Sequence, residues 1–156
     1  MDLKLEVLVL PVSDVDRAKA FYEQAGFRMD IDAVPNDDFR CVQFTPPGSE
    51  CSIMIGKGMT NAAPGSFQGI YLIVRDIEAA RAELVDRGIE VSEVFHDGDA
   101  IFQHGHADGD VVHDVGAPRV PGVYPGNADY GSYATFQDPD GNGWVLQEVN
   151  VRAPGR

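Results

Sequence analysis

The sequence predicts an α+β fold built from two βαβββ modules in tandem. Three observations predict it. A stretch near the N-terminus recurs 62 residues further on, strand-like runs follow both copies in the same order, and each series ends in a matching turn.

The copies are LPVSDVDRAKAFYEQAGF (10–27) and LIVRDIEAARAELVDRGI (72–89). At the constant offset Leu10 matches Leu72, Val12 matches Val74, Asp14 matches Asp76, Ala18 matches Ala80, Ala20 matches Ala82 and Gly26 matches Gly88. Each copy opens as a strand with alternating apolar residues, and its Asp then accepts backbone hydrogen bonds as a helix N-cap. A helix follows, with an apolar stripe at Val15, Ala18, Tyr22 and Ala25, or at Ile77, Ala80 and Leu84. The Gly just beyond it takes the left-handed conformation that closes a helix. Two copies at so long an offset read as module duplication rather than as a solenoid.

After the first helix, strands are expected at 27–33, 38–46 and 50–56; after the second, at 90–96, 131–137 and 143–150. PPGSECSIM (46–54) then aligns with PDGNGWVLQ (139–147) at an offset of 93 rather than 62, so about 31 residues are added inside the second module, between His96 and Gly131. The expected organisation is one domain over 1–150, with module 1 at 3–57, module 2 at 66–150, an inserted loop at 97–130 and a tail at 151–156. A loop of that length in a compact domain reads as a functional lid or as a disordered segment.

Of 156 residues, 44% are hydrophobic and 24% charged, a globular composition. Asp and Glu outnumber Lys and Arg by 25 to 12, for a formal charge of −13. So acidic a surface repels phosphate backbones and anionic lipid, which argues against nucleic acid and membranes as partners. MDLKLEVLVLPVSD carries no long apolar run, so neither a signal peptide nor a membrane helix is expected. Cys41 and Cys51 lie in apolar strand-like runs without CxxC spacing and read as buried free thiols of a reducing cytoplasm.

FQDPDGNGWVLQEV (136–149) poses a choice between metal and turn. Counted as a calcium loop from Asp138, it supplies Asp138, Asp140, Asn142 and Gly143 at the first, third, fifth and sixth positions, but Val149 where a bidentate Glu is required. Glu148 falls one residue short, and the flanks alternate as strands where a calcium loop is bracketed by helices. A hairpin uses every residue, with Pro139 setting the turn and Asp140-Gly141-Asn142-Gly143 supplying positive-φ positions. The stretch reads as a turn.

With the repeat at 10–27 and 72–89 and the hairpin at 136–149, the chain over 3–150 resembles the vicinal oxygen chelate superfamily, the glyoxalase, bleomycin resistance protein and extradiol dioxygenase group. The resemblance implies paired βαβββ modules whose sheets curl into a half-open cup around a small molecule. In the family's enzymes a divalent metal at the cup floor chelates substrate oxygens. It also implies a homodimer. The family's four ligand positions hold His, Gln or Glu; here they fall on Val7, Gly69, Ser52 and Val145, which cannot assemble a transition-metal site. Sliding the last strand to bring in Glu148 or Trp144 would turn those side chains to the other face. No metal and no other cofactor is therefore expected, a rebuilt divalent-metal site remaining the alternative.

Strand alternation adds Val9, Met54, Tyr71 and Gln147 to the same faces, so the expected ligand-binding residues are Val7, Ser52, Met54, Gly69, Tyr71, Val145 and Gln147. An apolar floor with a few polar groups suits a small molecule, although Val7, Val9 and Val145 also read simply as core. Gln147 and Tyr71 are more suggestive, since a buried amide or phenol needs a partner. His96, His104, His106 and His113 all fall in or beside the inserted segment, among several Asp. They read either as general bases on a lid or, the favoured reading, as part of a solvated acidic loop. His96, His106 and Glu148 are the catalytic candidates. The expected function is sequestration of an apolar or aromatic ligand without metal; the alternative is a glyoxalase-like lyase or a dioxygenase-like enzyme with a rebuilt metal site or lid histidines. No GxSxG, GxGxxG or P-loop supports nucleophilic catalysis or a nucleotide.

Overall fold

Each copy of the repeat folds as its pattern predicts as far as the helix. In the computed structural model, which describes residues 1–97 and 118–154, the first copy forms β1 (Val7–Val9) and α1 (Val15–Gln24). The second forms β5 (Ile70–Val74) and α2 (Ile77–Asp86). Asp14 and Asp76 are both extended N-caps, accepting from Arg17 N at 3.0 Å and Ala79 N at 2.9 Å. Gly26 and Gly88 close the helices at φ of 88° and 83°, where a Cβ would be strained.

After α1 come β2 (Arg28–Asn36), β3 (Phe39–Thr45) and β4 (Ser52–Lys57), which with β1 make a four-stranded sheet in the order β1-β4-β3-β2. After α2 come β6 (Phe95–Asp97), β7 (Arg119–Pro121), β8 (Ser132–Gln137) and β9 (Gly143–Glu148). They join β5 in a five-stranded sheet, β5-β9-β8-β6-β7. The same plan is used twice, with β1 parallel to β4 and β5 parallel to β9. This is an α+β fold of two βαβββ modules.

Two segments differ from the sequence expectation. The strand expected at 90–96 contracts to Phe95–Asp97, with only an isolated bridge from Val91 to Phe136 before it. The cause is Ser92, whose hydroxyl takes Thr135 N at 2.9 Å while its own N–H reaches Thr135 O, so a side chain interrupts the ladder. Within the segment expected to be loop, Arg119–Pro121 pairs antiparallel with β6 as an added edge strand.

The chain forms two compact units, Met1–Gln68 with Gln137–Gly143, and Gly69–Phe136 with Trp144–Arg156. In the first, α1 covers one face of its sheet. Ala18, Tyr22, Val42, Phe44 and Ile55 are fully enclosed there, and the Tyr22 ring lies 5.7 Å from Phe44. Each such large apolar side chain contributes about 1.5–3 kcal/mol by leaving water. In the second, Trp144 stacks on Phe136 at 5.9 Å with Leu146 and Ile77 also buried.

The hairpin turn at 138–143 lies in the first unit and is built around a carboxylate. Asp138, 4% exposed, accepts at Oδ1 from the backbone of Asp140, Gly141 and Asn142, and at Oδ2 from Tyr22 Oη at 2.9 Å and Asn142 Nδ2 at 2.7 Å. Asn142 also donates to Pro11 O and accepts from Phe67 N. Asp140 takes Ser13 and Arg17. The acidic residues that suggested calcium are thus turn-forming acceptors between two strands.

Candidate functional site

Because side chains alternate along a strand, each sheet has a second face, opposite its helix. On the first sheet the register pairs Val7 with Ser52, Val9 with Met54, and Met54 in turn with Gln43. Leu10, Ile53, Ile55 and Val42 point the other way and are buried. Val7, Val9, Met54 and Gln43 are half-buried, an apolar surface with polar groups at one end. At that end Ser52 Oγ lies 2.7 Å from Thr45 Oγ1, Gln43 Nε2 reaches Ser52 at 3.4 Å, and Thr45 donates to Asp30.

On the second sheet Tyr71 pairs with Val145 and Ile73 with Gln147. Val145, Tyr133 and Phe95 form a buried cluster with Tyr71 packed against it, the Phe95 and Tyr133 rings being 5.8 Å apart. Gln147, 6% exposed, donates to Tyr130 O at 3.2 Å, and the Tyr133 hydroxyl donates to the same carbonyl. Burial, reinforced by the nearby Asp97 carboxylate, pushes the Tyr71 phenol up to about 12. Tyr133 is raised as well, first by burial, so both rings are neutral hydrogen-bonding groups at physiological pH.

Gly69 sits one residue ahead of β5 at φ 75°, and a Cβ there would meet no atom within 4 Å, so glycine is required by backbone conformation rather than by crowding. The parallel pairing is shifted by two residues between the modules. Val7 faces Ser52, but it is Tyr71, the repeat mate of Val9, that faces Val145. An even shift keeps every side chain on its face.

The catalytic candidates stand elsewhere. Glu148, 8% exposed, accepts from Ile77 N at 3.0 Å at the first turn of α2, where a carboxylate satisfies an orphan N–H and meets the positive end of the helix dipole. His96 donates from Nδ1 to Gly122 O at 3.0 Å and meets Tyr124 edge-on. It alternates with Phe95, so it lies on the face away from Tyr133 and Tyr71. His104, His106 and His113 lie outside the described residues. Cys41 and Cys51 are free and half-buried, less enclosed than expected, and burial pushes both thiols up, away from the reactive thiolate.

Sequence reasoning did not single out Phe95, Asp97 and Tyr133 on the second sheet, or Asp30, Gln43 and Thr45 on the first. Alternation in YATFQ could have flagged Tyr133. Asp97 could not be placed, because it had been assigned to loop.

The donor set decides whether the family metal fits. Val7 and Val145 offer alkyl groups, Gly69 has no side chain, and the Ser52 hydroxyl is engaged with Thr45. One hydroxyl among alkyl groups does not hold Zn, Fe, Ni or Mn. Among the described residues no group of three His, Cys, Asp or Glu side chains is arranged to hold a metal, and no helix is long and apolar enough to cross a membrane.

The chain is similar to TnmS3, an antibiotic binding protein from Streptomyces sp. CB03234, with 27% identity over 96% of this chain and 98% of that one at a TM-score of 0.64. A glyoxalase/bleomycin resistance protein from the same Streptomyces strain matches at 28% identity, covering 92% and 99% of the two chains at a TM-score of 0.61. A superfamily member from Sphaerobacter thermophilus DSM 20745 matches at 26%, covering 94% and 98% at a TM-score of 0.63. No curated protein gives a significant match. The family model for the Glyoxalase/Bleomycin resistance protein/Dioxygenase superfamily matches residues 4–108, and with the twice-used βαβββ plan this places the chain in that superfamily.

Proposed function

We propose that this chain is a small-molecule-binding protein that sequesters an apolar or aromatic ligand without the family metal. The observation that carries the reading is the second sheet's face, where Tyr71 lies against the buried cluster of Phe95, Tyr133 and Val145. Flat aromatic walls with a few fixed polar groups suit a planar ligand, and neither phenol is ionised at neutral pH. Val7, Ser52 and Met54 on the first sheet, and Gly69, Tyr71, Val145 and Gln147 in the second unit, are the binding residues in this reading. The antibiotic binding by TnmS3 is consistent with it.

An enzyme reading finds less support. Glu148 is occupied at a helix terminus, and His96 faces away from the aromatic cluster. The same proposal places the protein in the cytoplasm, where free Cys41 and Cys51 persist, and pairs it as a homodimer. Met1, Leu3 and Leu5, exposed and spaced in phase with Val7 and Val9, support self-association.

Native mass spectrometry against a panel of naphthalene, anthracene and quinoline derivatives tests the function. Stoichiometric retention of at least one compound, recovered unchanged, is expected. Retention of none, or recovery of a converted product, would overturn the reading.

A further inference from the structure

Among the described residues, positive φ is otherwise confined to glycine, with two exceptions in one loop: Asn127 at 49° and Tyr130 at 68°. Asparagine tolerates that region, whereas a bulky ring there is an outlier that persists only where its surroundings determine it. The contacts of Tyr130 must therefore offset the strain. Its hydroxyl accepts from Ala153 N at 2.8 Å. Beside it, Asp129 accepts from Asn150 N and, at 3.1 Å, from Val151 N. Tyr130 N donates to Glu148 O at 2.9 Å. Hydrogen bonds thus fasten residues 129–130 to the end of β9 and the chain just beyond it.

This attachment owes little to burial. Residues 150–153 are exposed, Val151 at 71%, and a segment with so little apolar contact opens at low cost. What it holds is less exposed. The Tyr130 carbonyl accepts at once from Gln147 Nε2, 3.2 Å away, and from the Tyr133 hydroxyl. A carbonyl oxygen has two lone pairs, so one atom fixes both groups. Tyr133 belongs to the aromatic cluster, and Gln147, two residues beyond Val145, shares its face. Every residue in this chain of contacts lies in the second unit.

We infer that Tyr130 is a positioning residue for the aromatic face, and that residues 150–153 act as a strap whose attachment sets how tightly that face holds a ligand. With the strap released, the loop relaxes from φ 68° and its carbonyl moves. Gln147 then recovers rotamers that a bound ligand has to freeze again. The inference rests on the proposed ligand binding and adds a device that regulates it.

The test is equilibrium dialysis with 2-naphthol, whose hydroxyl can meet the Gln147 amide, and with naphthalene, which has no polar group. Tyr130→Phe keeps the ring but deprives Ala153 N of its acceptor, and Asp129→Ala does the same for Asn150 and Val151. Each is expected to weaken 2-naphthol about three- to tenfold, the scale of reordering one rotamer-rich side chain, and naphthalene less. The double variant Tyr130→Phe with Gln147→Leu should bind 2-naphthol as Gln147→Leu alone does, because the effect passes through that amide. Coupling is reciprocal, so saturating 2-naphthol should slow amide hydrogen exchange at Asn150, Val151 and Ala153 of the wild type by the same factor. That measurement decides the matter if the variants do not fold. Unchanged 2-naphthol affinity in both variants, an equal loss for naphthalene, a further loss in the double variant, or strap amides that ignore the ligand would each overturn the inference while leaving binding intact. Failure of the wild type to bind either probe would instead remove the binding reading, and this inference with it.

Discussion

Across the open face of the first sheet, hydrogen bonds converge on a carboxylate that a threonine and an arginine keep ionised. Across the matching face of the second, two phenols are kept neutral by burial against Phe95 and Val145. The modules share strand order, parallel pairing and helix caps, yet one face is polar at its end and titrates in acid, while the other is aromatic and titrates in alkali. The difference teaches where folding is constrained. In the first unit the large enclosed apolar side chains lie on the face packed on α1, whereas in the second Phe95, Tyr133 and Val145 bury the opposite face as well, so that face is itself part of the core.

The largest break in the symmetry is at the turns. Asp138→Ala removes an acceptor of five hydrogen bonds, one of them from the buried Tyr22 hydroxyl, and should cost about 3–5 kcal/mol in urea denaturation. Ser49, whose hydroxyl serves only Cys51 in the equivalent turn, should cost about 1 kcal/mol as Ser49→Ala. Similar costs for the two would show that the carboxylate is not what organises the turn at 138–143.

Next come the helix entries. Glu148 stands where the first module has the fully buried Ile55, so only α2 receives a strand carboxylate at its first N–H. Glu148→Gln should destabilise by about 1–2 kcal/mol with retention of aromatic ligands unchanged. Loss of ligand at preserved stability would return Glu148 to the site.

The pH profile sharpens the contrast between the faces. Asp30 and Asp32 have carboxyls lowered from 3.8, Asp32 chiefly by its hydrogen bond from Arg40, so their contribution is complete above that value and is lost as pH falls below it. Tyr71 is raised from 10.0 to about 12, so its contribution is complete below pH 10 and is lost between 10 and 12. Denaturant titrations should show Tyr71→Phe flattening only the alkaline limb and Asp32→Asn only the acid one. An effect on the opposite limb would contradict the assignment.

The smallest effect lies on β3 beside the edge strand β2. Arg40, bridging Asp16 and Asp32 near the surface, should cost about 0.5–1 kcal/mol as Arg40→Ala. That difference should shrink in high salt.

Much of the fold was legible because its signals are local. Asp14 and Asp76 as caps, Gly26 and Gly88 as stops, and the apolar alternation in β3, β4, β8 and β9 each depend on a few neighbouring residues. The break at Ser92 and the pairing of Arg119–Pro121 were not, because both arise from partners distant in sequence. Among the ligand candidates, Val7, Ser52 and Met54 were reachable by alternation, as were Tyr71, Val145 and Gln147. Asp30 was not, since only the bulge in β2 aims it at Thr45.

By itself the sequence determined the duplication, the helix limits, the hairpin at 138–143 and the absence of metal donors at the inherited positions, all consequences of residue type and short spacing. Tertiary structure alone decided the two-residue shift in strand pairing, the enclosure of Tyr133 beside Tyr71, the engagement of Glu148 with α2 and the direction of the hydrogen bonds ending on Asp30. Each of these needs two side chains from remote strands to meet at a particular register, and no local preference of the chain encodes that meeting.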